Sequence, residues 1–560
     1  MNQFRFFTVL QLAIFFLAGN IAVGQTRTIG LFLNDTANVY KGYTLFAPKQ
    51  NTMTYLINNE GRMVHKWSAS QYPPGQSVYL MENGNLLRTC MTKGQLSSGG
   101  GEGGRIEEYD WNDNLIWSLD FSTSTYMQHH DIKRLPNGNI IMLVIEKKTY
   151  AECLAAGFDP SKFQPEIQSK GIMVPDYVVE IKPTYPTGGT VVWEWHTWDH
   201  LVQDYDATKP NYGDPKSHPE LVDCDGDGRN LPAFWNHMNS IDYNPEFDQI
   251  AVSVRGNSEV WIIDHSTTTA EAKGHSGGKQ GKGGDLLYRW GNPMTYGAGS
   301  KSDQRFFEQH DVEWVLPGRP GAGNMTCFNN GLGRSGTITY STVDEFTPSV
   351  DANGNYRLVS GSAFTPKDFT WTYQGTAGNP LYSENISGAY RLPNGNTILC
   401  SGTVGLFLEV TPAKQIVWKY ICPVDQYGPM MQGSTPLVDP ARTAETMNSV
   451  FRIYKYPPDY AAFTGRDMTP GDFIEKYPTS VDNRELASPA ILAFPNPFTS
   501  KICLSGLTGD ETCHLYNANG ESFWTGKEIG QKDFSALTPG LYFLKVVNHT
   551  STQTIKLIKE

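Results

Sequence analysis

The stretch LPNGNTILCSG at residues 392–402 is a Gly-Asn turn followed by an apolar, β-branched run. Such a turn and run predict a β-hairpin. Similar stretches recur along the chain: MENGNLLRTC at 81–90, LPNGNIIMLV at 135–144, NPEFDQIAVSV at 244–254 and PGAGNMTCF at 320–328. A repeated strand pair cannot bury its own faces and has to stack against its neighbours. The repeats therefore predict an all-β architecture of stacked small sheets.

Strand-like stretches that each contain a tryptophan accompany these turns, and their number indicates the number of repeats. Radial stacking of such units gives a β-propeller, for which four to eight blades are usual. Six signals predict six blades, closed by a strand from residues 41–48 or 449–458; a linear β-solenoid is the alternative. The six tryptophans, about seventy residues apart on average, are Trp67, Trp117, Trp193, Trp290, Trp371 and Trp418.

The composition of the 560-residue chain agrees with this fold class and excludes others. The formal charge of −12 argues against a nucleic-acid-binding protein, which would carry a basic surface. With 39% hydrophobic and 18% charged residues, the chain is not intrinsically disordered. The 55 glycines and 34 prolines suit many short strands joined by turns.

The N-terminal residues 1–24 are typical of a secretory signal peptide. Arg5 supplies a positive start, residues 6–19 are apolar, and Ala22, Val23 and Gly24 are small residues at the expected cleavage positions. A membrane anchor is the weaker alternative, because the apolar run is shorter than the ~20 residues that span a bilayer. We therefore expect an exported protein with no membrane span in its mature form. Export permits disulfides among the eight cysteines, for example between Cys503 and Cys513.

The C-terminal residues 490–560 differ in pattern from the repeats. Short alternating strands with an Asn-Gly turn predict a small β-sandwich. The motifs AFPNPF at 493–498 and LTPGLYFLKVVN at 537–548, with a lysine-containing end, resemble the C-terminal sorting domain of the type IX secretion system. The resemblance implies that this secretion machinery exports the protein to the cell surface or the medium. A carbohydrate-binding sandwich is the alternative.

Three repeats carry a histidine at the same place, just before the turn. They are His130 in QHHDIKRLPNGN, His237 in NHMNSIDYNPEFDQ and His310 in QHDVEWVLPGRPGAGN, while Ser387 holds this place in the fifth repeat. Equivalent positions of different blades meet at the central axis, so the three histidines should converge. A single histidine at such a place is more often structural. Three in register predict a functional site.

Arg255 lies 18 residues after His237, within the same repeat. A guanidinium beside histidines suggests an anionic substrate group, because it binds tetrahedral oxyanions by paired hydrogen bonds. A surface salt bridge is an equally good interpretation of this residue alone. A three-histidine zinc site for hydrolysis is the rival, against which Arg255 counts because it would repel a divalent cation.

From about residue 41 to residue 470 the sequence resembles the arylsulfotransferase family. The motifs that carry the resemblance include GYTLFAP at 42–48, HHD at 129–131, SVRGNSEVWIID at 253–264 and QHDV at 309–312. The resemblance implies a six-bladed propeller over residues 25–485. It also implies transfer of a sulfuryl group from a phenolic sulfate ester to a phenol, without a nucleotide donor and without a cofactor.

Carried over by motif, the resemblance assigns a role to each candidate residue. His310 becomes the nucleophile that is sulfated, and Arg255, His130 and His237 bind the sulfuryl oxygens. His130 is chosen over His129 because Asp131 follows it as Asp311 follows His310. Two other interpretations remain open: a cell-surface propeller that binds glycan or peptide without catalysis, and a metal-dependent hydrolase that uses the same histidines.

The stretch DCDGDG at 223–228 has the alternating carboxylates of a calcium loop, namely Asp223, Asp225 and Asp227. The twelfth position of such a loop would be Phe234 rather than glutamate. An acidic turn is therefore the stronger interpretation, with calcium as a weak candidate.

Overall fold

The computed structural model describes residues 27–92, 96, 100–336, 339–376, 378–477, 491–507, 509–518, 520–548 and 552–560. These residues fall into two compact units, which run over 27–477 and 491–560. The predicted signal peptide, residues 1–24, lies outside the described residues. Within the described ranges, no helix is long and apolar enough to cross a membrane.

The larger unit is all-β and contains six sheets of four or five antiparallel strands. Within each sheet the strands are named in hydrogen-bonded order, and the first of them is called the leading strand. The first three sheets are Val450–Tyr456, Tyr43–Pro48, Thr54–Asn58 and Met63–Trp67; Pro74–Leu80, Leu86–Met91, Gly104–Tyr109 and Leu115–Asp120; and Tyr126–Arg134, Ile140–Glu146, Asp176–Pro183 and Gly189–His196. The other three are Met238–Asn244, Gln249–Val254, Glu259–Asp264 and Tyr288–Trp290; His310–Trp314, Met325–Asn329, Thr342–Phe346 and Trp371–Tyr373; and Gly388–Arg391, Thr397–Ser401, Leu406–Val410, Ile416–Ile421 and Gly30–Asn34.

Short elements fill the connections of this unit. The three α-helices in its described part are Tyr150–Ala155, Pro165–Lys170 and Thr269–Ala272. The 3-10 helices are Pro160–Lys162, Thr197–His200, Pro215–Ser217, Pro293–Tyr296, Lys301–Asp303, Gly402–Val404 and Ala461–Phe463. The two-stranded ladders are Lys148–Thr149 with Ile172–Met173, Leu201–Val202 with Val222–Asp223, Gly375–Thr376 with Asn379–Pro380, Val424–Asp425 with Gly428–Pro429, and Val438–Asp439 with Arg442–Thr446.

The Gly-Asn turns of the sequence join the first and second strands of their sheets. Gly84, Gly138 and Gly395 have φ angles of 87°, 86° and 88°, in the left-handed region that glycine enters without a steric penalty. The need for glycine at this position explains why Asn-Gly-Asn recurs before the second strand of these three sheets.

The leading strands are neighbours in a cyclic order. Each contacts the leading strand of the next sheet from the first to the sixth, and that of the sixth contacts that of the first. The first sheet is built from both ends of the unit, since its leading strand is Val450–Tyr456 and its other strands lie within residues 43–67. Both segments that the sequence offered as the closing strand are thus paired with each other.

Each repeat tryptophan fastens its sheet to the next one. All six occupy the apolar layer between consecutive sheets, where burial of an aromatic ring stabilises the contact. Each indole Nε1–H also donates a hydrogen bond to the connection between the third and fourth strands of the next sheet. The pairs are Trp67 with Asp110 O at 3.0 Å, Trp117 with Gly188 O at 2.9 Å, Trp193 with Thr267 Oγ1 at 3.1 Å, Trp290 with Pro366 O at 2.6 Å, Trp371 with Pro412 O at 2.9 Å and Trp418 with Asn59 O at 2.8 Å.

A second repeated bond links the leading strands. Asp131 Oδ2 accepts from Ile241 N at 3.0 Å, and Asp311 Oδ2 accepts from Ala389 N at 2.9 Å. In the fourth sheet Ser240 Oγ takes the same part, accepting from the backbone N–H of Val312 at 2.8 Å. The carboxylates that follow His130 and His310 therefore join sheets and do not bond to the imidazole rings.

Arg452 of the first leading strand connects these carboxylates. Its Nη1 lies 2.8 Å from Asp131 Oδ2 and 2.9 Å from Asp311 Oδ1, and all three side chains are buried. Tyr79 donates to the other oxygen of Asp131 at 2.6 Å. One buried cation thus contacts the acidic side chains of two sheets, the third and the fifth.

The smaller unit has a four-stranded sheet and a two-stranded ladder over one apolar core. The sheet order is Ser522–Gly526, Thr512–Asn517, Gly540–Val547 and Thr552–Lys559, the ladder is Leu492–Phe494 with Cys503–Ser505, and a 3-10 helix covers Ile529–Gln531. All eight cysteines of the chain lie within the described residues and carry free thiols. The suggested Cys503–Cys513 disulfide is therefore absent.

Replacing Arg452 by methionine should weaken the larger unit strongly. The substitution removes the guanidinium that the buried side chains of Asp131 and Asp311 share, and breaking a buried ion pair costs ~3–5 kcal/mol of unfolding free energy. Arg442→Met is the matched control, because Arg442 is exposed and its loss should change stability by less than ~0.5 kcal/mol. Chemical denaturation followed by circular dichroism measures both. Equal stability of the two variants would contradict the role given to Arg452.

Candidate active site

The three predicted histidines lie at or beside an irregularity in the pairing of their leading strands. His130 lies within Tyr126–Arg134, His237 immediately precedes Met238–Asn244, and His310 begins His310–Trp314. The pairing of each leading strand with its neighbour shifts register here, as in a β-bulge. Bulges re-aim side chains. His130 and His237 accordingly have left-handed φ angles of 48° and 50°.

The structure brings the predicted histidines together beside two aromatic rings, Phe451 and Phe234. The ring centroids of His130 and His237 are 5.1 Å apart. Those of His130 and His310 lie 6.0 Å and 6.4 Å from the centroid of Phe451 on the first leading strand. Phe234 stacks on His237 at 4.1 Å. Ser387, the counterpart in the sixth sheet, is buried and bonds to Ser383.

The hydrogen bonds of His310 fix its tautomer. Its Nδ1 lies 2.8 Å from Asn330 Oδ1. The amide nitrogen of Asn330 donates to the carbonyls of Ser383 and Ile386, so its oxygen is the atom that faces His310. An amide oxygen only accepts, so Nδ1 of His310 carries the hydrogen. In the neutral ring, Nε2 therefore holds the lone pair.

A second chain of polar groups leads to His130. Its Nδ1 lies 2.7 Å from Nδ1 of His129, whose Nε2 is 2.8 Å from Asp176 Oδ1. His129 and Asp176 are fully buried. With the hydrogen of His129 on Nε2 towards the carboxylate, its Nδ1 accepts from His130. This arrangement leaves the lone pair of His130 on Nε2, as for His310.

Arg255 lies in the turn after the second strand of the fourth sheet, beside His237. Its backbone N–H donates to His237 O at 3.1 Å. Its guanidinium forms an ion pair with Glu308, and about a quarter of each side chain is exposed. A positive charge thus stands at the histidines, paired with a carboxylate that an anionic ligand would have to displace or share.

Burial and this arginine keep the histidines uncharged. Burial, reinforced by Arg255, lowers the pKa of His310 to about 3. Burial, followed by the charges of the neighbouring histidines, holds the pKa of His130 well below its usual range. The pKa of His237 is depressed in the same way by burial and Arg255. At neutral pH the three imidazoles are therefore uncharged, and each has one ring nitrogen with a free lone pair.

A glycine loop packs directly against two of the histidines. An added Cβ at Gly101 would lie 1.8 Å from Cε1 of His130, and one at Gly100 would lie 3.5 Å from Cε1 of His237. Gly101 also has a φ angle of 69° and accepts from His130 N through its carbonyl at 3.2 Å. Only glycine allows this backbone to approach the imidazole so closely.

The carboxylates of the calcium candidate do not converge. Asp223 and Asp227 accept from backbone N–H groups of their own loop, those of Asp225 and Arg229, and Asp225 accepts from Asp159 N. Among the described residues, one group alone places three His, Cys, Asp or Glu ligand atoms within 4.8 Å of one another. It contains neither these carboxylates nor the three site histidines.

Several groups that complete the site have no signal in the sequence. Asn330 belongs to the stretch NNGLGR at 329–334, which by itself indicates no contact to His310. The motif argument favours His130 over His129, whereas in the structure both belong to the site, because His129 lies between His130 and Asp176. The contributions of Asp176, Glu308 and Arg452 depend on chain segments that are far apart in sequence, and no local pattern identifies them.

The comparison with protein families agrees with the resemblance. The profile of the arylsulfotransferase family (ASST) matches residues 34–426, well over half of the chain. The chain therefore belongs to the arylsulfotransferase family, which supports aryl sulfotransferase activity in general. Residues 492–560 match the secretion system C-terminal sorting domain. This type IX sorting domain points to export and to a cell-surface or secreted location.

Other comparisons are distant. No curated protein matches the sequence significantly. Among solved structures, a Bacteroides caccae protein of unknown function is 9% identical, with a TM-score of 0.37, over 74% of this chain and 99% of its own. The periplasmic gluconolactonase of Pseudomonas aeruginosa is 10% identical, with a TM-score of 0.34, over 72% of this chain and 87% of its own. Similarity at this level carries no information about activity.

The substitution Gly101→Ala should disable the site without unfolding the unit. The methyl group would collide with His130 and displace its ring, and a shift of about 1 Å at a catalytic group costs ~10²-fold in rate. Gly171→Ala is the matched control, because Gly171 has the same φ of 69° and no atom within 4 Å of an added Cβ. Nitrophenolate release from 4-nitrophenyl sulfate measures both, and equal rates would refute the contact.

Proposed function

We propose that the six sheets are the blades of a six-bladed β-propeller that spans residues 25–485. The cyclic contacts of the leading strands and the six tryptophan bonds to the following sheet support this arrangement. We further propose a cleaved signal peptide at 1–24 and a C-terminal β-sandwich at 490–560 that hands the protein to the type IX machinery. The histidines then lie at one end of the propeller axis, where blades meet.

We propose that the protein is an aryl-sulfate sulfotransferase that moves a sulfuryl group from a phenolic sulfate ester to a phenolic acceptor. Family membership supports the reaction class. The observation that carries the assignment is the state of His310: its Nδ1–H is held by Asn330, its ring is neutral, and its Nε2 holds a lone pair. A neutral, oriented imidazole is what a nitrogen nucleophile requires.

In the first half-reaction, Nε2 of His310 attacks the sulfur of the donor. The bond between sulfur and the aryl oxygen breaks, and its electron pair leaves with the phenolate. The imidazole, now bonded to sulfur, becomes positively charged and still donates its Nδ1–H to Asn330. Arg255 and His237 face the sulfuryl oxygens, and the guanidinium offsets the charge that develops there. His130 holds a lone pair on Nε2 and has no hydrogen to donate to these oxygens, so its part falls in the second half-reaction.

In the second half-reaction, the acceptor phenol takes the sulfuryl group from His310. Its oxygen attacks sulfur, the bond between nitrogen and sulfur breaks, and the electron pair returns to Nε2. The phenolic proton passes to His130, whose Nε2 accepts it while Nδ1 remains bonded to His129. Asp176 stabilises the charge that the histidine pair then carries. No metal and no nucleotide enters these steps.

Acceptor-dependent release of nitrophenolate tests this function. The purified protein is mixed with 4-nitrophenyl sulfate in the presence of a chelator, with and without phenol, and absorbance is followed. We expect sustained release that requires phenol and falls at least ~10³-fold in His310→Ala, since the nucleophile is lost. His218→Ala is the control, because His218 is exposed and bonds to Glu220.

The alternative functions give different results in the same experiment. No release with any phenol would favour a non-catalytic binding propeller. Release that needs no acceptor and stops in chelator would favour a metal-dependent hydrolase. Either result would refute the sulfotransferase proposal.

A further inference from the structure

We propose that His200, His275 and Asp285 form a binding site for a divalent transition metal ion, with zinc as the ion best suited to them. The site lies apart from the leading strands. His200 ends the 3-10 helix that follows the outermost strand of the third sheet, whereas His275 and Asp285 belong to the connection between the last two strands of the fourth sheet. Two imidazoles and one carboxylate are common zinc ligands.

The ligand atoms already stand close to the spacing that zinc needs. Nδ1 of His200 is 3.0 Å from Asp285 Oδ1, and Nδ1 of His275 is 2.7 Å from the same oxygen. All three ligand atoms lie within 4.8 Å of one another. In a tetrahedral site with bonds of ~2.0–2.1 Å, donor atoms are roughly 3.3 Å apart. The two distances to Asp285 Oδ1 would therefore each lengthen by a few tenths of an ångström to admit the ion.

The tautomer of His200 turns a nitrogen lone pair towards the Asp285 carboxylate, and a cation between them would stabilise this arrangement. Its Nε2 lies 2.8 Å from the carbonyl oxygen of Ala272, which only accepts, so Nε2 carries the hydrogen. A neutral ring then turns the lone pair of Nδ1 towards the Asp285 carboxylate, and two acceptors would repel each other. A second proton on His200 or a metal ion between the two atoms removes this conflict. Hydrogen bonding of the remote ring nitrogen to a carbonyl is typical of metal-bound histidine.

The surroundings hold His200 rigidly and leave the opposite side open. The Trp195 ring lies parallel to the imidazole, with centroids 5.5 Å apart, and its Nε1 donates to Gly284 O at 2.6 Å. An added Cβ at Gly284 would lie 2.6 Å from Nε2 of His200, so the backbone closes that side. His275 is 61% exposed. Solvent thus reaches the site and supplies the remaining ligand as water.

A bound ion would fasten one sheet to its neighbour. The segment 273–285, KGHSGGKQGKGGD, is rich in glycine and has a large conformational entropy to lose. The ion would tie this segment to the end of the third sheet. His130, His237 and His310 lie on or beside the leading strands, apart from this metal site. We therefore expect metal removal to lower stability and to leave sulfuryl transfer unchanged.

Calorimetric titration with zinc chloride tests the site. The full chain is prepared without a histidine tag and stripped with chelator before titration. We expect one zinc ion per chain, a higher melting temperature with zinc, and binding at least ~10-fold weaker in His275→Ala and in Asp285→Asn, because each variant lacks a ligand. His218→Ala, which removes an exposed histidine outside the cluster, should bind as the wild type does.

Cobalt supplies an independent readout, because Co²⁺ in a tetrahedral site of nitrogen and oxygen ligands absorbs strongly in the visible range. The same two variants should lose that absorption band. Absence of zinc binding in the wild type would overturn the proposal. Unchanged binding in both variants would also overturn it, because another group, such as the three site histidines, would then hold the ion.

Discussion

The guanidinium of Arg452, buried between the carboxylates of Asp131 and Asp311, is the interaction on which the site depends. Burying a charge is costly unless it is paired, and here one guanidinium lies within 3 Å of acidic side chains from two different sheets. Each carboxylate also binds a backbone N–H of the following sheet. The position of the residue before each carboxylate, His130 or His310, is set by the same network. Arg452 and Phe451 are adjacent on Val450–Tyr456, the leading strand of the first sheet. This strand comes from the C-terminal end of the unit, so its pairing with residues 43–48 places both side chains at the site.

Along the leading strands, the acidic and basic side chains of this network are different residues from the uncharged histidines of the site. The side chains of Arg452, Asp131 and Asp311 lie next to the histidines, and burial raises the pKa of Asp311 well above its usual range. The imidazoles themselves stay neutral because they are buried and face further positive charge. The hydrogen bond to Asn330 then determines which nitrogen of His310 carries the hydrogen, and the hydrogen bond to His129 does the same for His130. Neutral rings with fixed lone pairs are suited to attack on sulfur and to proton uptake, whereas protonated rings would serve neither purpose.

Much of the architecture could be predicted from the sequence, because its determinants are local. The Gly-Asn turns follow from left-handed glycine conformations, and the tryptophans recur because each one meets the same connection of the next sheet. His130, His237, His310 and Arg255 are identifiable from their register or position in the repeats, and the structure brings them together. Asn330, Asp176, Glu308 and Arg452 could not be identified in this way, because their partners lie on other sheets. Asp131 and Asp311 directly follow their histidines in the sequence, yet their carboxyl groups bond to the next sheet, which the sequence alone does not indicate.

A covalent bond between the sulfuryl group and Nε2 of His310 is the central step of the proposed mechanism. Mass spectrometry of the protein, mixed with 4-nitrophenyl sulfate in the absence of phenol and then digested at alkaline pH, tests it most directly. We expect the added mass of one sulfuryl group on the peptide that contains His310, and its disappearance when phenol is added before the digest. An unmodified His310 peptide alongside acceptor-dependent turnover, or a sulfuryl group on another residue that phenol removes, would contradict this mechanism.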